Sequence, residues 1–213
     1  MNGKELLIKE LQSRGIIKNK KFIEALKNIS REDFFPAESK EYAYYDDAFP
    51  IGYGQTISQP YTVFFMLNLL DPKEADNIMD VGFGSGWQTT LLAYIVGKRG
   101  SVRGLEIVKG VYDFGKSNIS KYPELSKRIK LYCQNATNGL PEEAEKIAGF
   151  DGIIAAAEVQ ETPNEWRKQL KIGGRLVYPK DNSIHKETKK SESGFVKEVY
   201  PGFVFVPFIE PGS

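Results

Sequence analysis

Two short stretches of this 213-residue chain carry residue types whose spacing could do chemistry. The first is GQTISQP, Gly54 to Pro60, which sets the hydroxyls of Thr56 and Ser58 ahead of an apolar segment with no histidine nearby. A serine without a base is a poor hydrolytic nucleophile. Ser58 can equally cap a helix that begins near Pro60. The second stretch is DVGFGSGWQ, in which Gly82, Gly84 and Gly86 alternate with Phe83 and Ser85 directly after an apolar run. Open α/β sheets bind ligands at that place, outside the carboxyl ends of their strands. Glycines let the backbone turn tightly and approach a ligand without a Cβ in the way. Glu106 closes the next strand, twenty residues after Gly86, where a ribose-binding carboxylate belongs.

A nicotinamide dinucleotide is opposed by two details. Its fingerprint needs a third glycine or alanine where this chain has Trp87, and Asp80 precedes the first glycine by two residues. A carboxylate there repels a pyrophosphate but suits a cofactor with a cationic end, such as S-adenosyl-L-methionine. The bland alternative is that the glycines serve only a tight turn and close helix packing, with Phe83 and Trp87 filling space around them.

The elements that must position these residues alternate along the chain. Helical spacing covers 4–14 and 20–28, and Ser30 is a candidate N-cap for a short turn in SREDFFP. Residues 37–60 read as irregular, aromatic and functional rather than disordered. Helices are expected at 62–70, 87–96, 111–121 and 163–170, and strands at 77–81, 101–107, 129–134 and 149–156, with another in RLVYP. The tail GFVKEVYPGFVFVPFI alternates like a strand pair, and KETKKSESG reads as a solvated loop. This pattern predicts an α/β fold: a Rossmann-like, doubly wound, mostly parallel sheet with helices on both faces. A helical N-terminal extension and an antiparallel C-terminal strand pair complete it. One domain is expected over 1–213, with 1–60 covering the site and 61–213 forming the core.

The composition narrows the function classes. Twenty-nine basic and 28 acidic residues leave a net charge of +1, with no footprint for a nucleic acid. The single cysteine, Cys133, permits no intrachain disulfide and reads as a buried strand thiol in a reducing compartment. With His185 alone it cannot make a metal site. The first residues have no signal-peptide core, and no stretch is long enough to span a membrane. A cytoplasmic monomer is expected.

With these residues in hand, the chain resembles the protein-L-isoaspartate O-methyltransferase family over residues 4–210. The resemblance rests on LQSRGI, REDFFP, AYYDD, PIGYGQTISQPY, DVGFGSGWQTTLLA, GLEI, GFDGIIAAA, QLKIGGRLVYP and FVPFI, with GQTISQP the most specific. It implies methylation of the free carboxyl of L-isoaspartyl residues in damaged proteins, with S-adenosyl-L-methionine as donor. The family's Thr-Ile-Ser segment lies over the reactive end of the cofactor, so Thr56 and Ile57 would shape the pocket and Ser58 would act in catalysis. Asp80, Gly82, Gly84 and Gly86 match the family's first motif, Glu106 its ribose ligand, and Ile107 the residue beside the adenine.

Two departures stand out. Where the family has Gly-Asp-Gly, its Asp on the adenine amino group, this chain reads Gln134, Asn135 and Ala136; the Asn135 amide oxygen could still accept there. Where the family has Thr-Ala-Ala-Ala-Pro near the substrate, Glu158 and Val159 replace the last alanines. A carboxylate at that point would repel an isoaspartyl carboxylate, unless it turns to solvent or pairs with a cation. Those departures keep two other readings open: a methyltransferase with a different acceptor, and a catalytically silent cofactor-binding relative.

Overall fold

The computed structural model describes residues 3–209. Its core is a seven-stranded sheet in the order β5-β4-β3-β6-β7-β8-β9. The parallel part contains β3 (Asn77–Val81), β4 (Ser101–Glu106), β5 (Ile129–Cys133), β6 (Phe150–Ala155) and β7 (Leu170–Lys180). Strands β8 (Ser183–Lys189) and β9 (Phe195–Pro201) run antiparallel at one end. A small hairpin, β1 (Phe49–Gly52) with β2 (Gln55–Ile57), lies in the stretch that read as irregular. Its turn needs Gly52 and Gly54 at φ +91° and +71°, values that cost a residue with a Cβ.

Helices α1 (Gly3–Ser13), α2 (Lys20–Asn28), α3 (Pro60–Leu70) and α4 (Trp87–Ile95) share one apolar core with Ile78, Ile154 and Val177 of the sheet. On the opposite face Met79, Val81, Ile153 and Leu176 pack with Ala144 of α7 (Pro141–Lys146) and Trp166 of α8 (Asn164–Lys168). The alternation of side chains along each strand therefore sends neighbouring residues into different cores. Between β4 and β5 lie α5 (Lys109–Ser120) and the short α6 (Pro123–Ser126). A central strand buried on both faces needs a continuous apolar run, which NIMDV supplies apart from Asn77 at its start and its acid, Asp80.

The expected fold class holds, with a different membership at its C-terminal end. Of KETKKSESG, residues 186–194, read as a solvated loop from its charges, only 190–194 lie outside the strands, while 186–189 belong to the inner antiparallel strand β8. Their charges are neutralised inside the fold rather than by water. Glu187, fully buried, accepts from both Arg167 nitrogens at 2.6 and 2.7 Å and from the Tyr178 hydroxyl at 2.7 Å. The buried ammonium of Lys189 donates to the Leu170 carbonyl at 2.9 Å. The pair expected in the tail is consequently β8 with β9, and residues 203–209 instead run as an extended strap. Cys133 is exposed, not buried, because it ends β5 at the edge of the sheet. Among the described residues no helix is long and apolar enough to cross a membrane.

Candidate active site

The strand order reverses at β3: β4 and β5 lie to one side of it, β6 and β7 to the other. A crevice must open at the carboxyl ends of β3 and β6, because their outgoing connections diverge. A cavity of about 380 Å³ sits there, within the usual range for a small-molecule site. The turn after β3 forms its floor. Glu106, Ile107 and Val108 form one wall, Ala156 and Ala157 after β6 another, and the segments 55–59 and 204–209 cover it.

The turn is shaped by three glycines with left-handed backbones, φ +71° at Gly82, +54° at Gly84 and +86° at Gly86. They do different work. A Cβ on Gly84 would come no closer to the protein than 3.8 Å, so glycine there leaves room in the cavity. A Cβ on Gly86 would stand 2.8 Å from Ile119 and 3.0 Å from the Gly115 carbonyl oxygen of α5. Gly86 thus serves helix packing, as the bland reading of the glycine run supposed, and it does not line the cavity. Phe83 lines it while its ring fills a slot left by two missing side chains, at Gly104 and Gly115.

The carboxylate of Glu106 is the only charged side chain among the described residues that line the cavity. One oxygen accepts from the amides of Ile107 and Val108 at 2.9 and 3.0 Å, the other from that of Gly84 at 3.2 Å. Burial pushes its pKa up, against the pull of these three amides. Four oxygen lone pairs exceed three amide donors, so acceptor capacity remains for hydroxyls in the cavity.

Of the candidate site residues, Thr56, Ile57, Ser58, Gly82, Phe83, Gly84, Ser85, Glu106, Ile107 and Ala136 line the cavity. Asp80 does not. Strand alternation turns it with Ile78 toward α4, where Gln88 Nε2 and Thr89 Oγ1 donate to its two oxygens at 2.8 and 2.6 Å. Fully buried, it has its pKa pushed up to about 6 by desolvation, which those hydrogen bonds only partly offset.

Between pH 4 and 6 the folded chain therefore binds a proton at Asp80 that the unfolded chain has released, so stability falls as pH rises through that window. Asp80→Asn should lack this slope. The difference in unfolding free energy between wild type and variant should change by up to about 3 kcal/mol from pH 4 to 7. Denaturant titrations across that range test this, and parallel profiles would refute it.

Asn135 also stays out of the cavity. Its amide oxygen accepts from the Thr137 backbone at 2.8 Å, and its amide nitrogen donates to the Ile209 carbonyl at 2.9 Å, tying the strap down. Gln134 lines the cavity in its place. Glu158 likewise faces away. Its carboxylate accepts from the Asn182 amide at 3.0 Å, while its backbone pairs with Val206 and Phe208 at 2.8 Å each. The feared repulsion is absent, because the carboxylate holds the β7–β8 turn and not the cavity wall.

Ser58 does not cap α3. The helix begins at Pro60 with Gln59 as N-cap residue, and Asp46 supplies the capping oxygen from a distance, accepting from the Tyr61 amide at 2.7 Å. The Ser58 hydroxyl has no hydrogen-bond partner among the described residues. Ser30 stands at the N-cap of its short turn without a side-chain bond to it; its hydroxyl accepts from Lys4 at 2.8 Å instead. Sequence reasoning did not anticipate Asp46, nor the apolar strap 204–209 as a cavity wall. The only available signal for the strap was its apolar–aromatic run without a partner strand.

A doubly wound sheet, a glycine turn at its switch point and a ribose-type carboxylate on the next strand define a Rossmann-like methyltransferase. The family model for protein-L-isoaspartate(D-aspartate) O-methyltransferase matches residues 1–211, and the chain belongs to that family. It is 39% identical to the protein-L-isoaspartate O-methyltransferase of Flavobacterium psychrophilum over 96% of this chain and 92% of the relative. Identity to the Methanopyrus kandleri enzyme of the same name is 33%, over 97% of this chain and 91% of that one. A Plasmodium falciparum protein described as a protein-L-isoaspartate O-methyltransferase, solved with S-adenosyl-L-homocysteine, superposes with a TM-score of 0.86. Its identity is 28%, over 98% of this chain and 99% of that one.

Proposed function

We propose that this chain transfers a methyl group from S-adenosyl-L-methionine to the free carboxyl of L-isoaspartyl residues in damaged proteins. One observation carries the reading: Ser58, whose hydroxyl has no partner among the described residues, and Glu106 line one cavity at the switch point of the sheet. The residues present fit the cofactor. Glu106 has acceptor capacity for a ribose diol, Gly84 leaves space for a ligand, and no cation stands among the described lining residues to favour a pyrophosphate. The buried indole nitrogen of Trp87, a residue of the cavity wall, also lacks an acceptor among the described residues.

Bound there, the cofactor supplies an electrophilic methyl group on a sulfonium centre. The chain's own residues need to move no proton, since a carboxyl nucleophile with a pKa of about 4 is already ionised at neutral pH. That agrees with the absence of a base from the lining. His185 is stacked on Tyr178 with centroids 5.3 Å apart, away from the cavity. What remains is orientation and exclusion of water. The Ser58 hydroxyl donates to one carboxylate oxygen and leaves the other free to attack. Ile57, Val204 and Val206 provide apolar cover. Once that carboxyl is a methyl ester, the backbone nitrogen of the next residue attacks its carbonyl carbon and expels methanol, closing a succinimide whose hydrolysis by water is the route to repair.

Glu158 and Asn135, whose identities raised a different acceptor, both face away from the cavity, so nothing in the site favours that alternative. The repair reading further places the chain as a cytoplasmic monomer with a single domain, acting on flexible, extended segments of other proteins.

The test is methyl transfer to a matched peptide pair carrying L-isoaspartate or L-aspartate, read as volatile methanol. Transfer to the isoaspartyl peptide alone is expected, and transfer to neither would end the reading. Ser58→Ala should lower turnover roughly 10- to 100-fold, the worth of one hydrogen bond to a charged group. Its affinity for S-adenosyl-L-homocysteine should stay within about twofold, since that hydroxyl is assigned to the acceptor. Unchanged turnover would remove Ser58 from catalysis.

A further inference from the structure

Among the described residues Arg31 is the largest charged side chain that is fully buried. Yet no carboxylate among the described residues lies within ion-pair distance of its guanidinium. Its two terminal nitrogens instead donate to four backbone carbonyls: Ala43 at 2.8 Å, Tyr45 at 3.2 Å, Asp47 at 3.0 Å and Ser58 at 2.9 Å. All four lie outside helices and strands, so no ladder serves them. Three belong to the segment leading into the β1–β2 hairpin. The fourth belongs to the residue that follows the hairpin and carries the unpartnered hydroxyl. One planar group thus gathers both ends of the loop that covers the cavity.

The base of the clamp is itself held. Arg31 opens the turn Arg31–Phe34, and the Ser30 amide just before it donates to the Tyr122 hydroxyl at 2.8 Å. That hydroxyl donates to Asp33 at 2.7 Å, and the Tyr122 ring stacks on Phe34 with centroids 5.7 Å apart. Tyr122 follows α5, so the clamp is referred to the sheet core and not to the loop it holds. The guanidinium also lies 5.0 Å over the ring of Trp87, a residue of the cavity wall.

Stability alone is a poor account of this arrangement. A buried cation without a carboxylate partner is expensive, and its Nε finds no acceptor among the described residues. Burial pushes the group down to about 9, against the pull of Asp46 and Asp47. A fold seeking only stability would close this loop with turns of its own. Lysine could not replace it, because an ammonium at one point cannot span four carbonyls in a plane as a guanidinium fork does.

We propose that Arg31 is a positioning residue for methyl transfer, holding the carbonyls of Ala43, Tyr45, Asp47 and Ser58 together so that the Ser58 hydroxyl is fixed over the cavity. This rests on the role of Ser58 proposed above. The effect is indirect, since Arg31 does not line the cavity.

A double-mutant cycle tests it on the full chain. Turnover with S-adenosyl-L-methionine and an isoaspartyl peptide is measured for wild type, Arg31→Lys, Ser58→Ala and the pair, with cofactor-product affinity from calorimetry. Arg31→Lys should lower kcat about tenfold while cofactor-product affinity moves less than about threefold. In the Ser58→Ala background the same substitution should cost less than about twofold, because the group it positions has gone. Added guanidinium should restore part of kcat to Arg31→Gln, which buries no charge and serves where the lysine variant does not fold.

Equal costs in both backgrounds, with Ser58→Ala impaired, would overturn this proposal alone. Unchanged kcat in folded Arg31→Lys would do the same, as would guanidinium that raises the melting temperature of Arg31→Gln without raising kcat. A fully active Ser58→Ala would overturn the role of Ser58 and this proposal together.

Discussion

Glu106→Ala should weaken binding of S-adenosyl-L-homocysteine by about 100- to 1000-fold while leaving the fold intact. Two hydrogen bonds from hydroxyls to a carboxylate are each worth about 1.5–3 kcal/mol, less what water returns to the truncated site. The carboxylate is the only charge among the described lining residues, so nothing nearby substitutes for it. Glu106→Gln should lose less, about tenfold, because it keeps one acceptor oxygen.

The pH dependence gives a second signature. Burial raises the pKa of Glu106, so protonation begins at a higher pH than for an ordinary carboxylate and removes acceptors from the site. Wild-type affinity should therefore fall as pH is lowered into the acidic range, and that of Glu106→Gln should not. Calorimetry at several pH values measures both effects. A Glu106→Ala protein with wild-type affinity would mean that the ribose carboxylate lies elsewhere.

Gly115→Ala should prove comparably severe from outside the cavity. A Cβ at this helical position would stand 2.3 Å from the Gly84 carbonyl oxygen and 2.6 Å from the Phe83 ring. The first of these is backbone, which cannot swing aside, so the glycine turn itself must move. Overpacking of this kind costs about 1–3 kcal/mol or more in stability, although alanine is the better helix former. Affinity for S-adenosyl-L-homocysteine should drop at least tenfold with it, because the displaced turn is the cavity floor.

Gly110→Ala, in the same helix, is the control. Its new Cβ would meet only the far end of the Tyr53 side chain, which is 67% exposed and free to rotate. Near-wild-type melting and affinity are expected there. If both variants bind normally, close packing under Gly84 has no bearing on the site.

Some of this architecture could be read directly from residue order. The alternation of apolar strands with helical segments fixes a parallel sheet, because each element has to bury one face against the next. GFGSG after NIMDV marks the switch-point turn, since only glycine takes three left-handed conformations so close together. Glu106 needs no tertiary knowledge beyond the end of its strand. GQTISQP was legible as a resemblance, with the function that resemblance implies.

Other features were decided only by tertiary packing. Asp80 and Asn135 have the right types at the right spacing, yet each side chain turns to a local partner, α4 in one case and the strap in the other. Spacing locates a Cα, whereas the direction of a side chain depends on which face a helix comes to cover. Charged KETK became part of an inner strand because Glu187 found Arg167 and Tyr178, partners 20 and 9 residues away in sequence. The same reason hides the clamp at Arg31. A cation in SREDFFP reads as a surface charge until four distant carbonyls converge on it, and only the folded chain brings them there.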